Sequence, residues 1–328
     1  MDSTSLYYFQ ELSKDMNMHR TAERIYVSQQ TISNHILKLE QEMGCQLFQR
    51  KPSLALTYAG KEMLRFVDQM ILQQKDLRNK LADITGEEKG SITFGSSMLR
   101  LNACLPEILP AFLERYPNVE LKLKDRMERE LEALVLAGEV DLGIIVEVTD
   151  EKGLVVEPIL DDLVYVCVPD SLLTDTYGAE EAARIKSRCA TGTDLRDFSK
   201  LPFCLLDNRL GRDIRKCFDE AGYEPICRMT SSFMQISASV GFKGVAAFFT
   251  TQVGITSRAQ TIPEDLNIFP LLRKGRPVYH RIYLIRREGS YFPAFTRYFM
   301  DLLRDHYAGL YAGVRFSTPH TGTGRFSV

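Results

Sequence analysis

The 328-residue sequence lacks the short signatures that announce common chemistries. No G-x-S-x-G, no G-x-x-x-x-G-K, no G-x-G-x-x-G after a strand and no histidine pair at metal-ligand spacing occurs, so neither an enzyme, a cofactor nor a metal is expected. Its seven cysteines include no C-x-x-C pair, which fits a reduced compartment better than a disulfide framework or a zinc site. No uninterrupted apolar run approaches the roughly 20 residues of a membrane span, and the opening MDSTSLYYFQELSKD has no basic region followed by an apolar core; a cytoplasmic protein without membrane contact is expected. A charge excess is missing too: 41 Lys and Arg face 43 Asp and Glu, and residues 1–90 carry 12 of each sign. Charge alone gives no reason to expect nucleic acid. Between Lys14 and Lys61 there are seven basic and four acidic side chains, so any DNA affinity must come from placement and dimerisation.

With 45% hydrophobic and 26% charged residues, the chain has material for two or three domains. The most informative stretch is AERIYVSQQTISNHILKLEQEMGCQLFQR, Ala22 to Arg50. Ile32, Ile36, Leu39 and Met43 form one apolar helical stripe that must be buried, and Ser28 is a plausible N-cap. Opposite lie Gln29, Gln30, Ser33, Asn34 and Lys38, able to meet base edges and phosphate. A preceding helix near Met18 to Tyr26 offers small Ala22 at a crossing, and Tyr26-Val27 makes a tight turn. Pattern alone leaves an ordinary helical hairpin with a solvated polar face equally open. His19 and His35 lie in these two helices; His280, His306 and His320 are scattered, and surface or core use is expected of all five.

This stretch, followed by LALTYAG, resembles the amino-terminal signature of LysR-type transcriptional regulators over about sixty residues. The family usually has a proline where Gln30 stands and often a basic residue where Leu37 stands. The resemblance implies an α+β and α/β multidomain chain: a winged helix-turn-helix, a long linker helix, and a two-lobed α/β domain similar to periplasmic binding proteins. It implies contact with double-stranded promoter DNA through Arg20, Ser28, Gln29, Gln30, Thr31, Ser33, Asn34, Lys38, Arg50 and Lys51. It implies also a homodimer or homotetramer, a small-molecule effector, and RNA polymerase among the partners.

The first helix carries Leu6, Phe9, Leu12 and Met16 as a support for the helix-turn-helix. Ser53 to Leu56 suggests a short wing strand. From Thr57 to about Thr85, Met63, Val67, Met70, Gln74, Leu77, Leu81 and Ile84 alternate spacings of four and three, a two-helix seam for a second copy of the chain. GEEKGS, Gly86 to Ser91, reads as a hinge. The boundaries expected are 1–58 for the DNA-binding domain, 59–89 for the linker helix and 90–309 for the effector domain. Within it the halves are about 90–162 plus 270–309, and about 163–269; 310–328 is a polar tail.

After the hinge, ITFGSS, a helix around Leu105 to Tyr116, VELKLKD, a helix around Glu128 to Gly138 and VDLGIIV read as a βαβαβ unit with a parallel sheet. LVYVCVPD, a long segment over Thr174 to Thr193 containing the surface helix AEEAARIKSR, then PFCLLDN, PICRMTSS and GVAAFF with intervening helices form a second series. NIFPLL, HRIYLIRR and a helix near Pro293 to Tyr307 are expected to return to the first half, on the family pattern. Ligands bind at the carboxyl ends of strands in open α/β sheets, where Ser96, Ser97, Asp125, Arg126 and Glu147 fall on one side and Asp207, Asn208, Arg209 and Thr230 to Ser232 on the other. The candidate effector contacts are Ser96, Ser97, Met98, Arg126, Asn208, Ser231 and Phe248, and an anionic metabolite suits the hydroxyl and N–H donors near Ser96 and Ser97. Each polar residue taken singly is as well read as a cap or turn. Cys189, Cys204, Cys217 and Cys227 lie in a region similar to that of peroxide-sensing relatives, yet Cys204 reads as a buried strand residue, and buried thiols are inert. A metabolite-binding protein without DNA activity is the alternative, which a secretory signal would favour and none is seen.

Overall fold

The computed structural model describes residues 2–51, 53–86, 88–126 and 128–312. They divide into two compact units: Met1–Glu87 with Tyr291–Pro293, and Glu88–Ser290 with Ala294 onward.

The first unit contains α1 (Ser3–Asp15), α2 (Met18–Arg24), α3 (Gln29–Met43), the short strands β1 (Phe48–Gln49) and β2 (Ala55–Leu56), and α4 (Tyr58–Thr85). The helix starts are written locally. Asp2, Asn17, Ser28 and Thr57 each accept a first-turn backbone N–H, satisfying donors that a helix cannot pair internally. β1 and β2 pair antiparallel as a wing, Phe48 opposite Leu56. The core gathers Leu6, Phe9, Leu12, Ala22, Ile32, Ile36, Leu39, Leu47 and Phe48. Met43 departs from the expected stripe, remaining 40% exposed one turn beyond Leu39. Gly60 is required where α4 crosses the wing, since a Cβ there would stand 2.0 Å from the Leu47 carbonyl oxygen.

The stripe along α4 divides in two. Met63 and Val67 bury themselves in the winged core, correcting the expectation that the whole stripe awaits another chain. Leu77, Leu81 and Ile84 stay 56%, 50% and 79% exposed. Tyr291 fastens this later half, its hydroxyl donating to Asp83 at 2.7 Å.

The second unit is built on one sheet. Its elements are β3 (Lys89–Ser96), α5 (Met98–Arg115), β4 (Asn118–Asp125), α6 (Glu128–Leu136), β5 (Leu142–Ile145), β6 (Leu154–Pro169), α7 (Asp170–Tyr177), α8 (Ala179–Cys189), β7 (Pro202–Leu206), α9 (Arg209–Ala221), β8 (Ile226–Ser231), α10 (Met234–Gly241), β9 (Ala247–Thr251), α11 (Gln252–Thr256), β10 (Leu266–Pro270), β11 (Leu272–Arg273), β12 (Arg276–Pro277), β13 (Tyr279–Arg287) and α12 (Ala294–Ala312). The strand order is β4-β3-β5-β13-β6-β9-β7-β8, with β10 also on β6. β3 lies parallel to β4 and β5, and β7 parallel to β8 and β9, but β13 and β6 run antiparallel to their neighbours. The two series are parallel within themselves as the sequence suggested, and the antiparallel β13 and β6 that join them make the whole sheet mixed.

β6 spans 16 residues, about twice the expected LVYVCVPD. Its first part pairs with β13 in the first lobe and Val164–Pro169 pairs with β9 and β10 in the second. The chain returns to the first lobe through β13 and α12, where Phe299 meets Phe94 and Phe112 edge-on at 5.4 and 5.2 Å and Arg304 grips Glu157 at 2.7 and 2.8 Å.

Three boundaries differ from the sequence reading. β3 begins at Lys89, inside the expected hinge. α5 begins at Met98 and carries Pro106 and Pro110 within it; each interior proline costs on the order of 3 kcal/mol, while burial of Leu101, Leu105, Ile108 and Phe112 returns about 1.5–3 kcal/mol apiece, so the helix persists. The segment after β6 is not irregular: α7 and α8 cover it, and Leu173, Ala182, Ile185 and Cys189 enter the second-lobe core. α12 runs on to Ala312, into the expected tail, whose residues 313–328 lie outside the described residues. Among the described residues no helix is long and apolar enough to cross a membrane.

Candidate nucleic-acid interface and interlobe cleft

α2 and α3 meet through the turn Ile25-Tyr26-Val27. Tyr26 adopts φ 56°, which returns the chain so that Val27 N–H donates to the Ala22 carbonyl at 3.0 Å. Arg24 fixes this pair on α1, bonding the Glu11 carboxylate and lying 2.7 Å from Asp15, which also receives Thr21 Oγ1 at 3.0 Å. Burial pushes the Glu11 carboxyl up, but Lys14 and Arg24 outweigh it and hold the group below its ordinary range. The sequence reading missed this brace, although Arg24 follows Glu11 and Asp15 at helix-facing positions.

On α3 the apolar face is sealed, with Ile32, Ile36 and Leu39 at 1% exposure or less. Gln29, Gln30 and Asn34 are exposed, while Thr31 and Ser33 are half-buried. Their bonds are local: Gln30 Nε2 donates to Asn34 Oδ1 at 2.8 Å, Gln29 Nε2 pairs with His19 Nδ1 at 2.9 Å, and the Ser28 hydroxyl joins that of Thr31 at 2.8 Å. Arg20 stands exposed 3.5 Å from Asp15. Arg50 and Lys51 are exposed beside the wing. Lys38 differs from its assigned place on phosphate: its ammonium donates to Asp2 Oδ2 at 2.9 Å. The Ser5 backbone N–H and Lys38 together hold the Asp2 carboxyl far below its ordinary range. His35 is structural, its Nδ1 2.9 Å from Ser5 Oγ and its ring edge-on to Tyr8.

In the α/β unit Glu147, after β5, meets Arg209, at the start of α9, but several of the candidate side chains are committed elsewhere. Ser96 is sealed from solvent and its hydroxyl donates to the Ile144 carbonyl at 2.8 Å. It is thus corrected from a ligand donor to a tie between β3 and β5. Ser97, half-buried at the start of α5, leaves the helix uncapped and accepts from Arg100 Nη1 at 3.0 Å. Met98 is exposed. Arg126 pairs with Glu130 at 2.8 Å and with the Asp125 carbonyl on the open edge. Asn208 caps α9 by accepting from Gly211 N–H and donates to the Ser232 carbonyl at 3.1 Å. Ser231 receives the Phe233 N–H at 3.0 Å. Phe248 is a core residue, 1% exposed and packed on Phe242, and it lines a cavity of ≈ 20 Å³ together with Leu99, Ile255 and Ile268. That is room for about one water, so Phe248 is corrected from a cleft contact to a wall behind it.

Arg100 and Asp162, which the sequence reading passed over, and His280, which it left to surface or core use, sit at this junction. Arg100 is buried on the same face of α5 as Cys104; a charged residue interrupting the apolar face of MLRLNACL was the available signal. Asp162, in β6, accepts from Val253 N–H at 2.9 Å at the start of α11, and burial pushes its carboxyl up to about 6. His280, opposite Asp162 across the β6–β13 pair, is pushed down to about 4 by burial, then by Arg100 and Arg209. Arg209 reaches the first lobe, with Nη1 2.6 Å from Glu147 Oε2. All seven cysteines are free; burial pushes Cys189 to about 12, Cys217 to about 11, and Cys204 upward as well. Protonated thiols of this kind are poor nucleophiles.

Residues 3–61 match the bacterial regulatory helix-turn-helix protein model of the lysR family, and residues 85–308 match the LysR substrate binding domain. The chain belongs to the LysR family. As a LysR-type regulator it is a DNA-binding transcriptional regulator with an effector-binding domain; the alternative of a metabolite-binding protein without DNA activity is not favoured. It is similar to the HTH-type transcriptional activator IlvY of Salmonella typhimurium, 29% identical over 63% of this chain and 67% of that protein. It is also similar to the uncharacterised HTH-type regulator YcgK of Bacillus subtilis, 25% identical over 75% and 78%. A full-length OxyR variant from Pseudomonas aeruginosa shares the fold with TM-score 0.62 at 22% identity, over 94% of each chain. CbnR, solved in complex with its target DNA, shares it with TM-score 0.55 at 20% identity, over 93% of this chain and all of that one.

Proposed function

We propose that this LysR-family regulator reads a promoter through Gln29, Gln30, Ser33 and Asn34, with Arg20, Arg50 and Lys51 on phosphate and Ser28 and Thr31 ordering the first turn of α3. Lys38 joins the phosphate contacts once Asp2 releases it. The observation that carries the reading is the exposed amide face of α3, fixed from below by a sealed apolar stripe. Such a face can exchange its side-chain partners for base edges at small cost. Leu77, Leu81 and Ile84 on α4 supply the seam for a second copy, and pairs of dimers form a tetramer on a two-fold-related site. The protein works in the cytoplasm, with RNA polymerase as a further partner. A small anionic metabolite binds between the lobes near Ser97 and Asn208, and its differential affinity for two lobe arrangements shifts dimer geometry on DNA. Met98, Arg126 and Ser231 flank this site on its two rims.

Selection of bound fragments from genomic DNA at physiological salt supplies the operator. On it, Asn34→Ala costs about 1–3 kcal/mol and relaxes preference at one base position. Equal losses on operator and random DNA would reject the base-reading role.

A further inference from the structure

We propose that the Glu147 carboxylate is a placeholder in an anion seat between the lobes, and that the effector is a small carboxylate which takes its place on Arg209. This deepens the reading of the cleft as the effector site and rests on it. Arg209 opens α9 in the second lobe, and Glu147 follows β5 in the first. Their side chains remain 38% and 48% exposed, so the contact is reachable from solvent.

The pairing is incomplete. Arg209 Nη1 lies 2.6 Å from the carboxylate oxygen, yet that nitrogen is shut from solvent and meets no acceptor in hydrogen-bonding geometry. Charge is matched while direction is not. A second nitrogen nearby shares the deficit: His280 Nε2 is shut from solvent without a partner. Arg209 and Arg100 both act on this imidazole, so one region holds two arginines and a neutral histidine around unpaired polar atoms. Buried nitrogens without acceptors are costly, and a tethered carboxylate cannot turn to serve both. A free carboxylate can, because its two oxygens accept from a guanidinium edge and from the imidazole in the tautomer that carries its proton on Nε2. The charge of Asp213 also reaches His280, and it disfavours a dianion such as phosphate. Exchange of Glu147 for ligand removes the direct tie between lobes and substitutes a bridge through the ligand. The seat thus couples occupancy to lobe position.

The test uses the full chain with the two exposed cysteines, Cys45 and Cys227, changed to serine. Spin labels on Lys152→Cys and Lys216→Cys report the lobe separation without any ligand. Glu147→Gln and Arg209→Gln are both expected to lengthen and broaden the distance distribution; an unchanged distribution overturns the placeholder. Titration calorimetry with pyruvate, acetate and benzoate, beside their amides, then reads the seat. At least one carboxylate should bind Glu147→Gln about two- to fivefold more tightly than wild type, the gain of removing an exposed ionic competitor. Arg209→Gln should lose that binding, and the amide should bind neither protein. Equal or weaker binding to Glu147→Gln overturns the proposal, as does the absence of carboxylate binding to either protein. An equal gain from Glu151→Gln, which removes the same charge from the same lobe, overturns it as well. Failure of the wild type to select any DNA, with distances and titrations as expected, would count against the regulatory reading and leave the placeholder standing.

Discussion

The polar face of α3 and the polar lining of the cleft have similar compositions but use their atoms differently. On α3 the amides and hydroxyls bond one another at the surface, Gln30 to Asn34 and Ser28 to Thr31. In the cleft they bond backbone, Ser96 to Ile144 and Asp162 to Val253 out of reach of solvent, and Asn208 to Gly211 and Ser232 nearer the surface. A surface bond is exchanged for water or a base at little cost, whereas a buried one must be replaced in kind. Polar residue type therefore marks a surface whose bonds can be exchanged, and does not by itself mark a ligand pocket.

The largest effect that tests this contrast is at Asp162. Asp162→Ala leaves the Val253 N–H and the Thr251 hydroxyl without their buried acceptor, and is expected to destabilise by about 3–5 kcal/mol in denaturant titration, about 1–3 kcal/mol for each orphaned donor. Gln30→Ala, on the exchangeable face, should leave the midpoint unchanged. A loss at Gln30 comparable to that at Asp162 would erase the distinction.

A second effect sharpens it within the cleft. The Asp162 carboxyl is raised to about 6 and the His280 imidazole lowered to about 4. Between roughly pH 4 and 6 the folded state binds a proton at Asp162 that the unfolded chain has released, so acid stabilises through this group. Over about pH 4 to 6.5 the unfolded chain protonates His280 while the folded state does not, so acid destabilises through that one. The two oppose, and their contributions nearly cancel in the wild type. Asp162→Asn should uncover a loss of about 2–3 kcal/mol on acidification, and His280→Gln a gain of similar size. Parallel pH profiles for the two variants would show that these groups do not titrate as their burial requires.

The smallest effect lies on the DNA-facing side. Asp2→Asn should release Lys38, raise affinity for random DNA and steepen the salt slope by up to about one. An unaltered slope would mean that Lys38 stays off phosphate even when unpaired.

What the sequence made legible follows the range of the interactions involved. Ser28, Thr57 and the Ile32-Ile36-Leu39 stripe act within a few residues, and helix starts and faces came out close to where they lie. Met63 and Val67 carried the same spacing as Leu77 and Leu81, and only the presence of the winged core decides which are covered. β6 outran its expected bounds because ladder partners from both lobes extend it past its apolar run. Arg100 and His280 stand among apolar neighbours in sequence, and their partners come from strands and helices far along the chain. Gln30 and Leu37, departures from the family pattern, are exposed residues, so they bear on contacts outward and not on whether α3 forms.

β6 has a mechanical consequence. One unbroken strand is hydrogen-bonded to β13 at one end and to β9 and β10 at the other, so the lobes share a torsion bar in place of a flexible joint. Rotation of one lobe against the other must wind this bar, storing the strain along many peptide units while no single residue changes its backbone well. Any lasting change of lobe angle must be held from outside the strand, by whatever spans the gap between Glu147 and Arg209.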